Sequence, residues 1–208
     1  MPTRTTDAVW GLWAEGLTSG LQITGSTFNA SGFHGIQLRN INNALISGNT
    51  IQNQHLQEWY HSGIILRNGV RNSIVAHNTF ENLSGDDGQA IWLRGWDSPG
   101  WEVTGNTVDH NTFTQSGLPG WNADTPNGPG AVHLGLGAFD NEIFEMKFPP
   151  GTGKTLCQMI WDETDNGSTT EYDGANTIHG WQPCENLAER DARKDDTELE
   201  PGFLGGDF

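Results

Sequence analysis

HGIQLRN at residues 34–40, with SGNTI after it at 47–51, decides the fold, because the same two phrases keep returning. The first comes back as SGIILRN at 62–68 and QAIWLRG at 89–95, steps of 28 and 27 residues, and more weakly as GAVHLGL at 130–136. The second recurs as GSTF (25–28), GNTI (48–51), HNTF (77–80), GNTV (105–108) and ANTI (175–178), with a looser DNEI at 140–143. Each copy of the first phrase alternates apolar and other residues with period two, the mark of a strand with one face inward. The inward pairs are Ile36/Leu38, Ile64/Leu66, Ile91/Leu93 and Val132/Leu134. One such unit cannot bury its own apolar face, so stacked neighbours must do it.

A repeat of this length has room for three short strands joined by turns, which describes an all-β, right-handed parallel β-helix of about six coils. The asparagines Asn49, Asn78, Asn106 and Asn176 are expected to stack in one bend, each amide bonding its own coil and the next. HNTF at 110–113 competes with GNTV at 105–108 for the place after 77–80, and the sequence leaves that register open. Gly/Pro-rich insertions interrupt the pattern at 118–129 and 148–154. The expected organisation is a β-helix over 1–184 and an acidic C-terminal cap or tail over 185–208, which would cover the open strand edges of the last coil or extend freely. The pattern resembles the parallel β-helix repeat proteins of the pectate-lyase-like superfamily over about residues 9–184. The resemblance implies the fold. Its functions span polysaccharide lyases, hydrolases and epimerases, and also viral tailspikes and adhesins.

The chain has 26 acidic and 10 basic residues, a formal charge of −16. So acidic a surface repels phosphate backbones and anionic lipid, which excludes general binding to nucleic acid or membrane. High glycine (28 residues) and low charge content (17%) suit a turn-rich β protein. No basic region and apolar run open the chain, and no stretch reaches the length of a membrane span. An extracellular or cell-surface setting, or a virion, fits this composition. Cys157 and Cys184 stand about one repeat apart, where they are either bridged or two buried thiols. A bridge there would stabilise by roughly 3 kcal/mol.

Register then lines up the outward residues. Arg39, Arg67 and Arg94, three of the seven arginines, fall in one column. Coils are ~4.8 Å apart, so these guanidinium groups repel one another by about 1 kcal/mol per pair in water, and more near a protein surface. Interleaved carboxylates, a bound polyanion or stacking on turn carbonyls must offset this, and a uronate chain suits arginine's paired donors. The neighbouring column holds Gln37, Ile65, Trp92 and His133, with Trp96 and Trp101 nearby. Trp92 is the expected stacking platform for a sugar ring. Acid–base candidates are Asp86 and Asp87, with His61 and His133; Lys147 is a weaker one. DDGQAI at 86–91 resembles the paired-aspartate segment of polygalacturonase-type hydrolases, which implies acid and base roles for Asp86 and Asp87. The chain departs from that family at His61-Ser62-Gly63, where the family has Asp before Gly, and at Pro129, where it has His. Asp86 and Asp87 could equally form a Gly-Asp turn or a Ca2+ site.

PPGTGKT at 149–155 mimics a phosphate loop, but Phe148 stands where its first glycine belongs, and MIWDE at 159–163 follows too closely for the intervening helix. It reads as an insertion loop. Asn29, Asn82 and Asn166 each open an N-x-S sequon, a triplet common by chance in such a chain. Two functions are therefore expected from the sequence: binding of an acidic polysaccharide on the first-strand face, with or without lyase or hydrolase cleavage, or a non-catalytic structural or adhesive module, with homo-oligomerisation open to either.

Overall fold

The computed structural model describes residues 10–16, 19–29, 32–54, 61–83, 89–96, 98–114, 131–147, 160–162 and 176–179. Every strand pairing among them is parallel. The first sheet stacks β1 (Trp10–Glu15), β4 (His34–Arg39), β7 (Ser62–Arg67), β10 (Gln89–Arg94), β14 (Val132–Leu134) and β17 (Ile160–Asp162) in that order. A second sheet runs β2 (Gln22–Thr24), β5 (Leu45–Ser47), β8 (Ile74–Ala76), β12 (Thr107–Asp109), β16 (Glu142–Ile143), β18 (Thr177–Ile178). A third runs β3 (Thr27–Asn29), β6 (Thr50–Gln52), β9 (Thr79–Glu81), β13 (Thr112–Phe113), and β11 (Val103–Thr104) pairs with β15 (Ala138–Phe139). Consecutive strands in sequence lie in different sheets, and the first and second sheets each gain one strand per repeat. That is a parallel β-helix.

The expected inward columns form the core: Ile36, Leu38, Ile64, Leu66, Ile91, Leu93, Val132 and Leu134 are fully buried. Ile46, Val75, Val108 and Ile143 meet them from the second sheet, and Ile51, Phe80 and Phe113 from the third. Phe80 and Phe113 stack with centroids 5.0 Å apart. The third-sheet side chains explain two glycines. A Cβ on Gly35 would lie 2.5 Å from the Gly63 carbonyl and 3.2 Å from Ile51, and one on Gly63 would lie 2.9 Å from Phe80. Gly35 thus faces the interior directly before inward-facing Ile36, which breaks the period-two alternation at the start of the strand.

The asparagines form two ladders, which corrects the single column read from the sequence. In one, the Asn49 backbone N–H and Nδ2 both donate to Asn78 Oδ1 at 3.0 Å, and Asn78 donates in the same way to Asn111. In the other, Ser73 N–H donates to Asn106 Oδ1, Asn106 to Asn141, and Asn141 to Asn176. GNTV and HNTF are therefore not rivals. Thr107 pairs with Ile74, whereas Thr112 pairs with Thr79, so the two phrases occupy successive corners of one turn of the solenoid. The residue before the asparagine takes the left-handed conformation at Gly48, His77, His110, Gly105 and Asp140 (φ 47–66°). Glycine reaches that region at no steric cost, and polar residues reach it more readily than branched ones. The amides satisfy the buried carbonyls of Ile23, Ile46 and Val75.

Candidate functional site: the arginine edge of the first sheet

Strand register places Glu15 beside Arg39, Arg39 beside Arg67, and Arg67 beside Arg94. Each arginine ends its strand, and each is the one residue of the strand's six that is not buried. The other residues of β4, β7 and β10 are buried, so the arginine edge is where these three strands meet solvent.

The three arginines are not equivalent. Arg39 pairs with Glu15 at 3.5 Å and its guanidinium carbon lies 5.3 Å from the centre of the Trp101 ring. Arg94 lies over Trp92 at 4.7 Å and near Trp96 at 5.5 Å. Cation–π contact of this kind is worth ~0.5–2 kcal/mol, depending on desolvation. Arg67, between them, has no ion pair or ring contact among the described residues, and its buried Nε–H has no hydrogen-bond partner. Partial burial, then the positive charges of Arg94 and Arg39, lower its pKa to about 10, and Glu15 only partly opposes this. Arg67 is the under-compensated cation of the ladder.

Below the ladder lies His34, which the sequence pattern did not single out. Strict alternation would turn it inward with Ile36, but the inward step at Gly35 leaves it on the outer side. There it packs edge-on to Phe33 with centroids 4.4 Å apart. It is 1% exposed, and its Nδ1 has no hydrogen-bond partner. Burial, then the charges of Arg67, His61 and Arg94, hold its pKa down to about 3. The imidazole is therefore neutral at physiological pH and adds no further positive charge under the arginines.

A strap follows β10. Trp96 N–H donates to the Trp101 carbonyl at 3.2 Å and Trp101 N–H to the Ser98 carbonyl at 3.0 Å. The turn is tied to the preceding coil by Arg71, which meets Glu102 at 2.5 Å, while Gly100 N–H donates to the same carboxylate at 2.9 Å. Gly69 makes room for it: a Cβ there would lie 2.8 Å from the Gly100 carbonyl. The tie carries Trp101 back across two strands to Arg39.

Of the residues singled out in the sequence, Arg39, Arg67 and Arg94 are brought together. Trp92 is 2% exposed and stacks on His133 with centroids 5.3 Å apart at 7°, under the Arg94 guanidinium. Buried so, it supports the arginine column and offers no ring face to a sugar, which corrects the platform role expected of it. His61 and His133 are both buried and do not meet: His133 is in register with Trp92 and Ile65, two strands away from His61 and four residues along. Lys147 bridges to Thr112 at the third sheet, on a different side of the solenoid from the arginines. Asp86, Asp87, Pro129, Cys157, Cys184, Asn166, the 149–155 loop, the two insertions and the 185–208 segment lie outside the described residues. Among the described residues, no group of three or more His, Cys, Asp or Glu is arranged to hold a metal ion. No helix among them is long and apolar enough to cross a membrane.

The chain belongs to the right-handed β-helix family: the family model described as "Right handed beta helix region" matches residues 11–142. No curated protein and no solved structure matches it. This family fold serves polysaccharide-related and structural proteins alike, so the choice of function falls to the site.

Proposed function

We propose that the arginine edge of the first sheet binds an acidic polysaccharide. The observation that carries this reading is Arg67, a guanidinium with a pKa lowered to about 10, held between two like charges with Glu15 as the one opposing charge acting on it among the described residues. A carboxylate at Arg67 removes that cost, and a guanidinium binds it through two parallel N–H donors. A polymer suits the site because the ladder repeats its donors at the ~4.8 Å spacing of the sheet. Nucleic acid does not suit it: the formal charge of −16 repels long phosphate chains before any local contact forms. Such a ligand places the protein outside the cell, on its surface or on a virion.

Binding without cleavage, as in an adhesive or structural module, is favoured over catalysis by the burial of His61 and His133. If the polymer is cleaved, Asp86 or Asp87 must supply the acid or base, with Ca2+ as the group most suited to those two carboxylates. The test is affinity electrophoresis of the full chain through polygalacturonate, alginate and neutral dextran, with and without Ca2+, alongside assays for unsaturated products and new reducing ends. Retardation by a polyuronate alone, lost in Arg67→Met, is the expected result. Equal retardation by dextran, or none by any polyuronate, overturns the proposal. Product formation would turn the binding site into an active site.

A further inference from the structure

Trp101 is 42% exposed, and its exposure has a particular address. A single exposed aromatic side chain is ordinary on a protein surface. This one sits on a turn fixed by the Arg71–Glu102 pair and the Gly100–Glu102 hydrogen bond, so its position is set by more than its own packing. The Arg39 guanidinium carbon lies 5.3 Å from its ring centre, and Arg39 is in register with Arg67. An indole and an under-compensated cation therefore flank a single partly exposed arginine.

We infer that Trp101 is the ring-binding half of the site: a pyranose stacks on the indole while its carboxylate is held at Arg39 and Arg67. The C–H face of a pyranose is apolar and fits an indole, and an acid group on that sugar is the complement of the neighbouring guanidinium groups. The site thereby distinguishes a uronic-acid glycan from a polyanion without rings, which the arginines alone do not. Glu102 is a positioning residue, because it holds the strap and touches neither Arg39 nor Arg67. The inference rests on the acidic-polysaccharide reading above and adds the identity of the recognised unit.

The experiment compares oligogalacturonate with poly-L-glutamate by calorimetric titration of the full chain, for the wild type, Trp101→Ala, Glu102→Gln and Arg67→Met. Trp101→Ala is expected to weaken oligogalacturonate by about tenfold, equivalent to ~1.4 kcal/mol, and to leave poly-L-glutamate unchanged. Glu102→Gln should weaken oligogalacturonate selectively but less, and Arg67→Met should weaken both ligands. Unfolding midpoints of each variant show that the fold is retained. Unchanged oligogalacturonate affinity in Trp101→Ala, or equal losses for both ligands, overturns the role of Trp101. Absence of oligogalacturonate binding by the wild type would instead overturn the acidic-polysaccharide reading itself.

Discussion

Replacing Arg67 with Met should stabilise the free protein, although it removes the residue on which the proposed function depends. Two neighbouring guanidinium groups at the ~4.8 Å strand spacing each cost Arg67 about 1 kcal/mol in water and about 3 kcal/mol at the effective dielectric of a protein surface. The lowering of its pKa from the ordinary arginine value to about 10 corresponds to ~3 kcal/mol, an upper figure because the side chain is partly exposed and solvent screens it. The folded pKa lies below the unfolded one, so folding disfavours the charged form. The cost is fully present at neutral pH and is relieved only as pH rises through about 10 towards the higher unfolded value. Methionine keeps an unbranched apolar stem of similar reach, so packing changes little. A gain of about 1–2 kcal/mol is expected at pH 7, read from urea unfolding by linear extrapolation. Raising salt should stabilise the wild type and narrow the difference, because it screens the repulsion. If Arg67→Met loses 1 kcal/mol or more, the guanidinium is a structural tie and the under-compensated-charge reasoning is refuted.

Three further outcomes follow from the same structure. Asn78→Ala should destabilise by ~2–4 kcal/mol in urea unfolding, because it strands the Asn49 N–H groups and the Ile46 carbonyl in the buried ladder; a loss under 1 kcal/mol would mean that the coils do not depend on it. Gly63→Ala should cost ~1–3 kcal/mol, measured as a lowered unfolding midpoint, since its Cβ would lie 2.7 Å from the Ala90 carbonyl and 2.9 Å from Phe80. His34 titrates near 6.5 when unfolded and about 3 when folded, so its neutral form stabilises above pH 6.5 and this contribution is lost as pH falls from 6.5 towards 3. Stability measured at pH 6.5 and pH 4 should fall by on the order of 2–3 kcal/mol more in the wild type than in His34→Gln, and parallel curves would contradict the assignment.

The fold was legible because its signal is local and repeated. Period-two alternation marks Ile36, Leu38, Ile64 and Leu66 as inward, and the shared place of Arg39, Arg67 and Arg94 in the repeated phrase puts them in register, as the strand pairs show. The asparagine ladders were misread because two corners of one turn use the same phrase, and a phrase does not say which corner it occupies. Asn111 and Asn141 belong to those ladders as fully as Asn78 does. His34 was missed for another reason: alternation assigns it inward, and only the large Ile51 and Phe80 side chains opposite reveal why Gly35 and Gly63 take the inward place. The burial of Trp92 is not legible because burial of an outward residue depends on contacts distant in sequence. Nothing within 89–95 says that the outer face of β10 is covered, or that Glu102 reaches back to Arg71 and carries Trp101 to Arg39.

The central claim, that an anionic glycan docks at Arg67, is tested most directly by following the arginine Nε–H signals by NMR during titration with oligogalacturonate, each assigned from its own substitution. The account predicts a saturable shift of the Arg67 Nε–H, while that of Arg71, whose Nη2 is held by Glu102 away from the ladder, stays in place; neither Nε–H has a hydrogen-bond partner in the free protein among the described residues. An unmoved Arg67 signal at saturating ligand, or an equal shift at Arg71, would contradict it.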